Sequence, residues 1–241
     1  MTAPLTLYQR AQQIDSLARS SLLPQSSTDL SQALSHALEN SAANGLPPIT
    51  ISPLQGQYLA IQAQLIGAKN VLEVGTLGGY STLWFLSAGD VRVTSLEIDP
   101  HHRDVALQNL KHAGYEDGKD FEVILAPALD SLPRLLAEQR DGKRAKFDLV
   151  FIDADWDEQF DYFQHAVQLA RPNGCIYVDN VVRAILEDPE SEKYEAGQKE
   201  SLPVKVGKDG RVKATMVSVV SSHKGREGET FDGFLLAVVA G

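Results

Sequence analysis

The chain has 241 residues, a formal net charge of −10 and a hydrophobic fraction of 43%. That length holds one sizeable α/β core, the acidic balance argues against a nucleic-acid partner, and no apolar run approaches the roughly 18 residues of a membrane span. The single cysteine, Cys175, excludes an internal disulfide and a cysteine-based zinc site, and its apolar surroundings in sequence make it a buried thiol. A cytoplasmic enzyme is the expectation. Residues 1–27 carry Arg10, Arg19 and several serines beside one acid, Asp15, so mitochondrial import is the lesser alternative.

In chain order, Leu7–Ser20 and Leu30–Ala43 are predicted helices, the second capped by Thr28 or Asp29. Gly45-Leu46-Pro47-Pro48 breaks the pattern. Pro53 then opens a helix through Gly67 whose buried face is expected to carry Leu59, Ile61 and Leu65. From Val71 the rhythm becomes strand, helix, strand. Strands at 93–98, 121–126, 148–152 and 175–179 alternate with helices at about 102–113, 129–140 and 157–170, which predicts an α/β fold with a doubly wound, mostly parallel sheet. Thr215–Val220 and Gly233–Val239 are apolar runs joined by the polar loop Ser221–Asp232, with no helix between them. They predict an antiparallel hairpin at the sheet edge, seven strands in all. Glu187–Arg211 is charged and holds several Gly and Pro, as expected of a mobile surface insertion near a site mouth.

The organising stretch is Val71-Leu72-Glu73-Val74-Gly75-Thr76-Leu77-Gly78-Gly79-Tyr80-Ser81. A strand, a glycine-rich turn and a helix start are how an α/β sheet builds a nucleotide site, because glycine lets the backbone approach a ligand. The spacing is G-x-x-G-G and not the G-x-G-x-x-G of dinucleotide enzymes, and no Lys-Ser or Lys-Thr pair marks a triphosphate loop. About twenty residues on, a second strand ends in Glu97, where an acid accepts hydrogen bonds from ribose hydroxyls. Ribose without a pyrophosphate grip points to an adenosine ligand such as S-adenosylmethionine. Glu73 either orients the turn or faces the ligand's cationic end.

Two further strands end in oxygen-bearing side chains: Asp153 and Asp155 on one, Asp179 and Asn180 on the next. Neighbouring parallel strands present their C-terminal ends at one edge, where the ligand crevice lies. Asp153, Asp179 and Asn180 are hard oxygen donors without His or Cys, a set that suits Mg²⁺, Mn²⁺ or Ca²⁺. Singly, each pair could simply cap a helix. His101, His102, His112, His165 and His223 fall on predicted helices or a loop and are expected at the surface.

Taken together, these stretches resemble the cation-dependent O-methyltransferase family that includes catechol and caffeoyl-coenzyme A O-methyltransferases. The resemblance covers about residues 30–241 and also rests on Ser52-Pro53-Leu54-Gln55-Gly56-Gln57, Pro127-Ala128-Leu129 and Phe231-Asp232-Gly233-Phe234. It implies the Rossmann-like class I fold in one domain, with residues 1–50 as a helical extension serving as lid or dimer contact. Glu73, Gly75 and Ser81 would hold the donor's methionine part, Glu97 its ribose, Ala128 its adenine, and Ile51 would line the same site. Asp153, Asp179 and Asn180 would bind the metal, with Asp153 also near the donor's amino group. Members commonly carry a lysine, proposed as the general base, where this chain has Trp156. Tryptophan cannot take a proton, so the base is unassigned, and Trp156 is read as a pocket wall or a stacking partner for the acceptor ring.

The reaction so implied is methyl transfer from S-adenosylmethionine to a hydroxyl of a vicinal dihydroxy aromatic chelated by a divalent cation. The acceptor is a catechol, a hydroxycinnamoyl ester or a flavonoid, with a coenzyme A thioester disfavoured by the acidic surface. A homodimer is expected, and no nucleic-acid or membrane partner. The alternatives are a non-catalytic donor-binding scaffold and an NAD-dependent oxidoreductase, the latter opposed by the missing dinucleotide fingerprint.

Overall fold

A computed structural model describes residues 4–23, 28–220 and 231–241. The elements run α1 (Leu7–Leu22), α2 (Asp29–Ala43), α3 (Pro53–Leu65), β1 (Asn70–Val74), α4 (Tyr80–Leu86), β2 (Arg92–Glu97), α5 (Pro100–His112), β3 (Phe121–Leu125) and α6 (Ala128–Arg140). Then come β4 (Phe147–Ile152), α7 (Gln159–Leu169), β5 (Ala170–Val178), α8 (Val181–Leu186), α9 (Glu192–Glu195), α10 (Leu202–Gly207), β6 (Val212–Val220) and β7 (Phe231–Val239).

The seven strands form one sheet in the order β3-β2-β1-β4-β5-β7-β6. β1 to β5 are parallel, and β7 pairs antiparallel with both β5 and β6. The doubly wound sheet with its edge hairpin is therefore present. Most of the loop assigned to that hairpin, with His223, lies outside the described residues.

Alternation along the strands divides the core in two. Val71, Leu149, Phe151, Cys175 and Tyr177 face one layer with residues of α2, α3 and α4, while Leu72, Val150, Ile152, Ile176 and Val178 face the other with residues of α6 and α7. Phe151 is fully buried and packs edge-on to Phe85 at 5.7 Å. Cys175 is buried as expected, and burial pushes its thiol up to about 11.

Three expectations need correction. Leu59 is buried, but Ile61 and Leu65 are 43% and 75% exposed. Residue 61 lies about 200° around the helix from residue 59, and the buried stripe is Gly56, Leu59, Ala60 and Ala63. Its small residues admit Trp84 of α4: a Cβ on Gly56 would stand 2.2 Å from that indole. α3 stops at Leu65, and Gly67 turns with φ +61°. β5 begins at Ala170, five residues before the apolar run. The stretch 187–211, expected as a surface insertion, holds two short helices, with Val206 buried.

At the start of the chain, Thr28 caps α2 by accepting from the Ser31 amide. Ala33, Leu34 and Ala37 join α2 to the core, whereas α1 buries none of its residues and leaves Leu7, Ile14 and Leu17 exposed.

Candidate active site

The parallel register sets Val74 level with Leu96 and Ile152, and Ile152 level with Val178. Gly75, Glu97, Asp153 and Asp179 consequently leave the sheet at one edge, the position where open α/β sheets bind ligands.

The turn after β1 needs its glycines. Gly75 has φ +98° and Gly79 +77°, and a Cβ on Gly75 would sit 2.2 Å from the Asp153 carbonyl oxygen. Two acids brace this turn. Glu73 is fully buried and accepts from the hydroxyls of Ser81 (2.5 Å), Thr82 and Ser95 (both 2.6 Å). Burial raises its pKa to about 7 despite those three hydrogen bonds. Glu97 accepts four backbone N–H groups: Thr76 and Leu77 on one oxygen, Ile98 and Asp99 on the other.

A cavity of about 630 Å³ opens beside the turn, lined by Ile51, Gly75, Ser81, Glu97, Ala128 and Asp153 among others. Of the residues assigned to a donor from the sequence, Glu73 alone is absent from that lining; its carboxyl group turns inward and fixes the turn. His102, expected at the surface, also lines the cavity, with Nδ1 3.8 Å from Glu97.

A second cavity, about 370 Å³, shares Asp153 and residues 49–51 with the first. Its walls include Leu54, Tyr58, Val219 and Phe234, and its polar end holds Asp153, Asp179, Asn180 and Asp232. Asp179 is buried; burial first, and the Asp153 charge second, hold its carboxyl well above the usual carboxylate range. Asn180 sits in the left-handed region at φ 56° and donates from Nδ2 to Asp232 at 2.9 Å, which leaves its carbonyl oxygen to ligate. Two close carboxyl groups and an amide oxygen fit a hard divalent cation, although among the described residues no three His, Cys, Asp or Glu side chains gather as a metal cage.

The model of a family described as O-methyltransferase matches residues 24–223. This chain belongs to that family. It is 42% identical over 211 residues to O-methyltransferase imqG of Aspergillus flavus (86% of this chain, 82% of that one). To the catechol O-methyltransferase of Mycobacterium tuberculosis it is 42% identical over 209 residues (86% and 88%). The crystal structure of a Bacillus cereus O-methyltransferase in complex with S-adenosylhomocysteine superposes with a TM-score of 0.81 at 33% identity, covering 97% of this chain and 100% of that one.

Membership in an O-methyltransferase family removes the oxidoreductase alternative. It also sharpens the departure at Trp156, which lines neither cavity. Its indole lies in a neighbouring crevice with Phe160, Ile185, Tyr194 and Lys199, under the Arg183 guanidinium at 5.2 Å. Arg183, and not Trp156, stands on the lining of the second cavity. Arg183 and Asp232 were missed as site residues. Asp232 lies within a matched stretch, and Arg183 lies in the first turn of α8, just after Asn180.

Proposed function

We propose that this O-methyltransferase moves a methyl group from S-adenosylmethionine to one hydroxyl of a vicinal dihydroxy aromatic, assisted by a divalent cation. The observation that carries the reading is the meeting of two cavities at Asp153: one beside the braced glycine turn, the other apolar with an oxygen-rich end. The Bacillus cereus relative with S-adenosylhomocysteine supports the donor, and the name of the mycobacterial relative supports the acceptor class.

Glu97 would accept the ribose hydroxyls, its carboxylate already held in place by four amides. Gly75 and Ser81 would border the methionine part and Ala128 the adenine, while Ile51 would line the same site. The sulfonium brings an activated methyl group, so the chain's main task is to align the acceptor oxygen with it. A phenol near pKa 10 is a poor nucleophile at neutral pH, and a cation held by Asp153, Asp179 and Asn180 would supply the Lewis acidity that lowers this value. The apolar walls would seat the ring and exclude water. The exposed apolar residues of α1 support a homodimer formed through the segment before residue 50.

Methyl transfer from labelled donor to catechol tests the reading. Chelator should abolish transfer, and Mg²⁺ or Mn²⁺ should restore it. Full activity in chelator defeats the cation's role, and donor binding without transfer to any dihydroxy aromatic favours a non-catalytic scaffold.

A further inference from the structure

The acceptor-side cavity is acidic at one end, and among its described lining residues Arg183 is the one cation. Arg183 lies in the first turn of α8, the helix that Asn180 precedes as its N-cap, and both residues line this cavity. Its side chain is 16% exposed. The Nε atom lies 2.9 Å from Glu187 Oε1 and yet is buried without a directed hydrogen bond. The Glu187 contact is an i,i+4 ion pair whose carboxylate is 45% exposed to water, so that partner can be exchanged for another carboxylate at modest cost. The Trp156 face holds the guanidinium from behind.

A planar fork of donors held on one face by an indole, in a cavity whose walls are apolar and whose other end is acidic, suits a carboxylate, which it can grip through two parallel hydrogen bonds. Building on the function proposed above, we infer that Arg183 selects acceptors bearing a carboxylate on the aromatic ring or a short arm of it, and that Trp156 positions Arg183 for this. The preferred acceptors are then dihydroxyaromatic acids. The diol end faces Asp153, Asp179 and Asn180, and the anionic end faces the guanidinium. Arg183 takes no part in proton or methyl transfer; it acts on binding. Trp156 acts through Arg183 and touches no substrate. A cavity of about 370 Å³, near the low end of the roughly 300–1,000 Å³ of small-molecule sites, agrees with one compact acceptor.

The experiment compares a vicinal dihydroxybenzoate with the matching dihydroxybenzamide, which keeps the shape and loses the charge. With saturating donor and Mg²⁺, the wild type should favour the acid in kcat/KM. Arg183→Met should lower the acid-to-amide ratio about ten- to a hundred-fold, the worth of a charge-assisted contact, chiefly through KM. Arg183→Lys should restore part of the ratio, since it returns charge without the fork. Trp156→Leu should shift the ratio in the same direction by a smaller factor, again in KM and not in kcat. Calorimetric binding of the acid in the presence of S-adenosylhomocysteine should weaken in parallel. Turnover of the amide with no preference for the acid, or a ratio unmoved by Arg183→Met, overturns the inference and leaves the proposed function standing. Turnover of neither compound, with donor bound, overturns both.

Discussion

Gly75 and Asp153 touch backbone to backbone: the space that a Cβ on Gly75 would need is filled by the Asp153 carbonyl oxygen at 2.2 Å. The glycine turn after β1 and the carboxylate-bearing loop after β4 are thus one joint. Gly75→Ala would force the loop outward and place alanine at φ +98°, a strain of roughly 1–3 kcal/mol before the clash is counted. Denaturant unfolding should show a loss of at least about that size, and affinity for S-adenosylhomocysteine should fall with it. A variant of native stability and native affinity would mean that the joint is slack.

Glu73 makes stability depend on pH. Its folded-state value near 7 stands above the ordinary 4.5, so the native protein holds a proton that the unfolded chain releases. The stabilisation is complete below about pH 4.5 and is lost as pH rises through 7, a difference of about 3 kcal/mol. Glu73→Gln has no proton to release. The variant should therefore gain on the wild type between pH 5 and pH 8, read as the change in their unfolding free-energy difference. Parallel pH profiles would show that Glu73 does not titrate in this range.

Glu97→Ala removes the acceptor for four amides and for the proposed ribose hydroxyls. Charge-assisted hydrogen bonds contribute roughly 1.5–3 kcal/mol each, so calorimetry should register a loss of donor affinity of ten-fold or more. Unchanged affinity takes Glu97 out of the donor site.

Asp179 carries a cost that a cation would relieve. Its folded-state value lies above the ordinary one, so its contribution to stability is full at low pH and is lost as pH rises through the shifted value. In chelator, Asp179→Asn should gain on the wild type in melting temperature as pH rises, at about 2–4 °C per kcal/mol for a chain of this size. Mg²⁺ or Mn²⁺ should raise the wild-type Tm and leave the variant's in place. Equal responses of both proteins to the metal would move the cation elsewhere.

Removal of the residues before Ser27 takes away α1 and leaves α2, whose Ala33, Leu34 and Ala37 belong to the core. Light scattering should find the full chain dimeric and the shortened chain monomeric. A monomeric full chain at micromolar concentration ends the proposal.

Much of this was readable in advance, because strand order and strand ends follow from period-two runs and from glycine positions. The turn at Gly75, the acid at Glu97 and the paired strand ends at Asp153 and Asp179 are local patterns. What stayed hidden depends on the third dimension. Ile61 and Leu65 were misassigned because α3 buries small residues against Trp84, and apolar content alone does not show which face is covered. Glu73 carries the same letter whether it faces a ligand or three hydroxyls. The place of Trp156 is decided by Arg183, 27 positions away in sequence, which pairing rules along one helix do not reach.

The strand order has a consequence for the chain as it is made. β6 precedes β7, yet β7 lies between β6 and β5. Leaving the ribosome, β6 has no place in the sheet and waits as an unpaired ribbon until β7 follows and slots in beside β5. The cavity wall at Val219 and Phe234, with Asp232, assembles only at that moment, after β1 and β2 have set the glycine turn. Chaperone capture or proteolytic nicking during synthesis should therefore include Val212–Val220, whose one strand partner, β7, follows it in the chain.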